Sequence, residues 1–139
     1  MSYPRKTSIG LWVLQAFLAL FFILGSGAPK LVFTLFLSSS ELPMPIPLPD
    51  WFLLFIGLCE VSGGLALLVP GITGIRTGLT PLAGVCLFAL TVCATVYQLM
   101  AAAPGNAVFA IVMGLLCLVV AYGRSRVAPH SGASLAAAA

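Results

Sequence analysis

Charge is scarce in this chain: six Lys and Arg and three Asp and Glu in 139 residues, or 6%. A soluble domain usually carries about 25% charged residues, because its surface must face water. So few ionic side chains leave most of the surface to be solvated by lipid, and a water-soluble globule is excluded. Histidine is nearly absent; the single one, His130, lies close to the C-terminal end, so no His-based metal or haem site is available among the apolar segments. The four cysteines, Cys59, Cys86, Cys93 and Cys117, form no CxxC and all fall inside apolar runs, away from loops where a disulfide would form. Cys86 and Cys93 share a helical face, but buried thiols of this kind are packing residues. No basic face with interleaved aromatics exists, so the net charge of +3 gives no nucleic-acid partner. Its cations sit at segment ends, where membrane topology puts them.

What the chain has in abundance is apolar sequence, 61% of all residues. A helix needs about 20 apolar residues to cross a hydrocarbon core of roughly 30 Å. Four runs meet that length, at about 9–37, 51–69, 79–102 and 107–122. They do not alternate in polarity, so they are not barrel strands. The expected fold class is all-α, an integral membrane four-helix bundle forming a single domain over 1–124. Pro43, Pro45, Pro47 and Pro49 make the first loop extended, since each removes an amide donor and fixes φ. Pro70-Gly71 is expected to close the second span, and Pro104-Gly105 to turn between the third and fourth. Residues 125–139, ending in Ala-rich sequence, are expected to be a mobile tail or a cloning scar.

Orientation follows the cations. Arg5 and Lys6 precede the first span, Arg76 lies between the second and third, and Arg124 and Arg126 follow the fourth. The alternate loops carry Glu41 and Asp50. The positive-inside rule then places both termini in the cytoplasm, N-in/C-in. Trp12 and Trp51, near span ends, suit interfacial anchoring. Arg5-Lys6 followed by an apolar stretch and Gly25-Ser26-Gly27-Ala28 also has the form of a cleavable signal. The apolar run resumes directly after Lys30, which favours a retained first span.

One residue stands out as a candidate for chemistry. Glu60 lies nine residues into the second span, near the bilayer centre, where even mild scales charge an acid about 2.5 to 3.5 kcal/mol. It needs a partner, a proton or water. Intramembrane acids mark pathways and binding sites; the plain alternative is an acid that hydrogen-bonds neighbouring helices and fixes packing. Gly57, Glu60 and Gly64 share a face with Gly63 beside them, and such glycines allow helices to approach closely. Two further stripes are polar at helical spacing: Gly84, Thr91, Thr95 and Gln98 in the third span, and Gln15, Ala19, Ser26 and Lys30 in the first. Either they line a pocket with Glu60, or they bind helices together at about 0.6 kcal/mol per interhelical hydrogen bond.

Lys30 has two placements. If the first span starts at Ile9, Lys30 lies about 31 Å further along at 1.5 Å per residue and snorkels to the interface. If the helix runs to Leu37 and sits further out, Lys30 drops toward Glu60 and pairs with it.

Several pieces of sequence together resemble the DoxX-like family of small bacterial membrane proteins. They are Gly27-Ala28-Pro29-Lys30-Leu31, the glycine-rich segment from Gly57 to Gly71 centred on Glu60, Leu79-Thr80-Pro81-Leu82-Ala83-Gly84, and Ala121-Tyr122-Gly123-Arg124. The resemblance covers most of residues 10–124. It implies four helices, a bacterial inner-membrane location, and relatives tied to thiosulfate and quinone oxidoreduction or to membrane oxidoreductase complexes. The family's Lys and Glu map onto Lys30 and Glu60. Where a family His is common late in the third span, this chain has Gln98 beside Tyr97, and Gln does not titrate.

Three functions follow as expectations. The first is a membrane protein that binds a small lipophilic molecule, a quinone or lipid, or serves as accessory subunit to a protein partner or as a homo-oligomer. Lys30, Thr91, Thr95, Gln98 and Gln15 would then contact the ligand. The second is a small enzyme, isomerase- or cyclase-like, with Glu60 as catalytic general acid. The third, a transporter or proton path, has only one mid-membrane acid behind it. No cofactor is named by any motif.

Overall fold

A computed structural model describes residues 5–38, 41 and 44–127. It contains four helices long and apolar enough to cross a membrane: α1, Arg5–Phe36; α2, Asp50–Thr73; α3, Leu79–Met100; and α4, Pro104–Val127. Among the described residues there is no strand. Each helix packs on its neighbour in chain order, and α4 closes back on α1. The result is a four-helix, multi-pass membrane protein whose first and last described residues lie at the same end of the bundle, here called the basic end.

The buried positions recur at helical spacing. Leu53, Gly57, Glu60, Gly64 and Leu67 form one stripe along α2, and Leu11, Gln15, Leu18, Ala19 and Phe22 form the matching stripe on α1. The remaining faces carry large exposed apolar side chains, Phe36, Trp51, Ile72 and Met100 among them. In water such surfaces would drive aggregation; in lipid they are the solvated side of the molecule.

Helix ends depart from the sequence expectation in three places. α2 does not stop at Pro70 but passes through it to Thr73. Its true stop is Gly74, at φ 70°, whose N–H reaches Pro70 O at 2.9 Å. Glycine adopts that left-handed conformation without the Cβ penalty, as helix C-termini require. α4 begins at Pro104 itself, because a proline at the first helical position loses no hydrogen bond. It also runs on to Val127, so residues 125–127 are helical. The expected tail beyond that point, and Pro43 in the first loop, lie outside the described residues.

Within α1, residues Phe21–Gly27 are wound as a π-helix, with the Ala28 N–H bonded to Ile23 O, five residues back. The cause lies just downstream. Pro29 has no N–H to give, and its ring crowds the carbonyl four residues earlier; a wider turn relieves both problems. The same segment brings Gly27 against α2, where a Cβ on Gly27 would lie 2.8 Å from Val61 Cγ2 and 3.1 Å from Gly57 O. No side chain fits there.

Two clusters of polar side chains sit inside the bundle, at different depths. Toward the basic end, Gln15 is fully buried; its Nε2 donates to Leu67 O and its Oε1 accepts from Arg124 Nε. The Arg124 guanidinium also reaches Ser8 and lies 5.3 Å from the Trp12 ring centroid. One side chain thus ties α4 to α1, and through Gln15 to α2. The other cluster, near mid-helix, is the candidate site.

Replacing Gly27 by Val is expected to lower stability by about 1 to 3 kcal/mol, the usual range for overpacking. Gly10→Ala, where nothing lies within 4 Å, should leave it unchanged; thermal unfolding in detergent compares the two. By the same measurement, Gln15→Leu is expected to cost about 1 to 3 kcal/mol, since it removes the buried acceptor of Arg124 Nε.

Candidate functional site

Glu60 points from α2 into the seam with α1 and is 7% exposed. Lys30 meets it: Lys30 Nζ lies 2.7 Å from Glu60 Oε2. Of the two placements open to Lys30, the structure has the one in which α1 continues past it to Phe36 and the ammonium turns inward. Ser26, one helical turn before Lys30, completes the arrangement. Its hydroxyl donates to Glu60 Oε1 at 2.9 Å and accepts from Lys30 Nζ at 2.6 Å. Lys30 Nζ also approaches Ser26 O at 3.4 Å. Each oxygen of the carboxylate therefore receives a donor from α1.

The local sequence accounts for this geometry. Ser26 and Lys30 stand four apart, on one helical face, and the Gly27–Gly57 contact holds the two backbones close enough for both to reach a single carboxylate. Glu60 and Gly57 are three apart, so the acid emerges one turn beyond the crossing. Closing the triangle inside the bundle compensates charges that would be costly alone in an apolar span. The pair is not wholly enclosed, since the Lys30 side chain keeps 24% of its surface accessible.

The other sequence candidates lie elsewhere. Thr91 is buried and packs against Gly114 of α4; its hydroxyl donates back to Phe88 O at 2.7 Å. Thr95 is half-buried and likewise bonds Thr91 O at 2.7 Å. Gln98 has a buried Oε1 that meets no donor among the described residues. Among the described residues, none of these three is hydrogen-bonded to Lys30 or Glu60. Gln15 belongs to the Arg124 cluster at the basic end.

Beside Gln98, Tyr97 clasps the proline-rich loop. Its hydroxyl donates to Ile46 O at 2.6 Å and accepts from Ile46 N at 3.1 Å. The loop joins α1 to α2 yet is pinned to α3, so it crosses the end of the bundle nearer the ion pair.

Two features escaped sequence reasoning. Ser26 was visible only as a member of the Lys30 stripe, although its spacing to Lys30 already made it a shared ligand of Glu60. Arg124 reads in sequence as a topological cation, yet it is 4% exposed. The signal for it was Gln15, a fully polar side chain in an apolar span that needs a polar partner.

If the pair is a true coupled unit, Lys30→Met should cost about 3 kcal/mol by stranding a carboxylate. The double variant Lys30→Met, Glu60→Leu should recover most of that loss. Chemical unfolding of the purified single and double variants closes the cycle; additive losses would mean no coupling.

No curated protein and no solved structure matches the chain. A family model described as the DoxX-like family matches residues 13–120, a stretch that contains Ser26, Lys30 and Glu60, together with every residue of α2 and α3. The chain belongs to the DoxX-like family.

Proposed function

We propose that this chain is a binding protein for a lipophilic molecule bearing a carbonyl, a quinone foremost, held at the Lys30–Glu60 seam of a bacterial inner membrane with both termini cytoplasmic. The observation that carries the reading is an ion pair inside the bundle whose lysine side chain keeps 24% of its surface accessible. An ammonium is a donor with no acceptor capacity, and a carbonyl oxygen is the partner that suits it where water is scarce. Glu60 Oε2 and Ser26 Oγ hold two N–H groups of the ammonium; the third, 3.4 Å from Ser26 O, is the least tightly held and the one a carbonyl would take. Thr95 and Gln98 would offer a second polar edge from α3, with Gln98 Oε1, which meets no donor among the described residues, as its acceptor. A protein of this kind would serve as the accessory, ligand-holding part of a membrane oxidoreductase.

The competing enzyme reading makes Glu60 a general acid. In the ion-paired form, Ser26 and Lys30 donate to its two oxygens, an arrangement suited to an acceptor and not to a proton donor. Binding without turnover is the better fit to this geometry.

The test is a titration of the detergent-purified chain with decylubiquinone, followed by quenching of tryptophan fluorescence. Losing a hydrogen bond to a charged group is worth about 1.5 to 3 kcal/mol, so Lys30→Met is expected to weaken binding by about tenfold or more. Thr91→Val should have a smaller effect. Equal binding by the parent and Lys30→Met, or none by the parent, would overturn the proposal.

A further inference from the structure

Two grooves flank α4 near its C-terminal end, away from the ion pair. One, of about 430 Å³, opens between α1 and α4, with Thr7, Leu11, Leu115, Val119 and Val127 on its walls. The other, of about 610 Å³, opens between α3 and α4, with Pro81, Leu82, Val85 and Ser125 on its walls. Leu118 and Tyr122 border both. These two side chains are therefore a ridge with a shallow, open apolar groove on either side.

The ridge has a charged head. Leu118, Tyr122 and Arg126 follow one another at four-residue spacing, which keeps them near one face of a helix. Arg126 is exposed and sits in sequence between Ser125, a wall of one groove, and Val127, a wall of the other. Arg124, two residues earlier, turns inward to Gln15 instead. The floor of the first groove is closed by tight packing, since a Cβ on Gly123 would lie 2.6 Å from Leu11 Cδ2.

We infer that this ridge seats an anionic diacyl phospholipid, one acyl chain in each groove and its phosphate on Arg126. Two shallow apolar grooves on either side of one ridge, with a cation next in sequence to a wall of each, match two tails joined at a single anionic head. Tyr122, 66% exposed, stands where an aromatic ring belongs, at headgroup level. Arg5 and Lys6, exposed at the same end, add to the attraction for anionic lipid. A second copy of the chain suits the ridge less well. A two-fold interface there would set Arg126 and its neighbouring cations against their own copies.

Native mass spectrometry of the full chain, with phosphatidylglycerol and phosphatidylcholine of identical acyl chains at equal concentration, tests the site. The parent is expected to retain phosphatidylglycerol about fivefold more than phosphatidylcholine, the effect of one cation close to an anionic lipid. Arg126→Gln should lower that preference severalfold, leaving only the weaker contribution of Arg5 and Lys6, and Arg76→Gln, exposed at the same end but outside both grooves, should keep it. Val85→Trp and Val119→Trp, which fill one groove each from exposed positions, should lower retention of both lipids. No preference in the parent would overturn the assignment. So would an undiminished preference in Arg126→Gln, an equal loss in Arg76→Gln, or full retention by the groove-filled variants.

Discussion

The structure depends on how a carboxylate and an ammonium are accommodated inside a lipid-solvated bundle. Neither Glu60 nor Lys30 could remain alone at mid-helix without a large desolvation cost. Together, with Ser26 donating to the second oxygen, they satisfy each other across the α1–α2 seam. That arrangement needs backbones at closest approach, hence glycine at 27 and 57. It also needs an α1 that runs unbroken to Phe36 despite Pro29, hence the π-turn. Three local oddities in the sequence, two glycines and a proline beside a lysine, have one physical explanation.

Polar contacts inside a membrane bundle do a different job from apolar burial in water. Lipid tails solvate Leu and Phe as well as a neighbouring helix does, so apolarity gives the helices little reason to associate. Close packing at small residues and hydrogen bonds between helices supply it instead. Here those bonds are concentrated at two depths. Gln15 and Arg124 lock α1, α2 and α4 near the basic end, and Ser26, Lys30 and Glu60 lock α1 to α2 further along. The two clusters differ in exposure: Arg124 is sealed among protein groups, whereas the Lys30 side chain keeps part of its surface accessible.

The number of helices and the inward face of α2 were legible because rare residues mark them. With apolar side chains on every face, hydrophobic periodicity says little, and the stripe Gly57, Glu60, Gly64 says a great deal. Helix ends were harder to read. Proline is tolerated within the last turn of a helix, so Pro70 does not end α2, and at the first helical position it costs no hydrogen bond, so Pro104 starts α4 instead of lying in a turn before it. The site was half legible. Helical spacing brought Ser26 and Lys30 to one face and left the depth of Lys30 open, because depth depends on how far α1 slides along its partner, and local sequence does not encode that. Gln15 was grouped with the wrong polar set for a similar reason: its partner Arg124 lies 109 residues away in sequence, on a helix whose end the apolar pattern placed too early.

The charge state of Glu60 in the folded protein is the most direct test. The chain has only three acidic side chains, namely Glu41, Asp50 and Glu60, so an infrared difference spectrum between the parent and Glu60→Gln in lipid at neutral pH isolates a single carboxyl group. An ion pair with Lys30 predicts the loss of an ionised carboxylate band, and predicts that the same band shifts in Lys30→Met. Loss of a protonated carbonyl band instead would contradict the account.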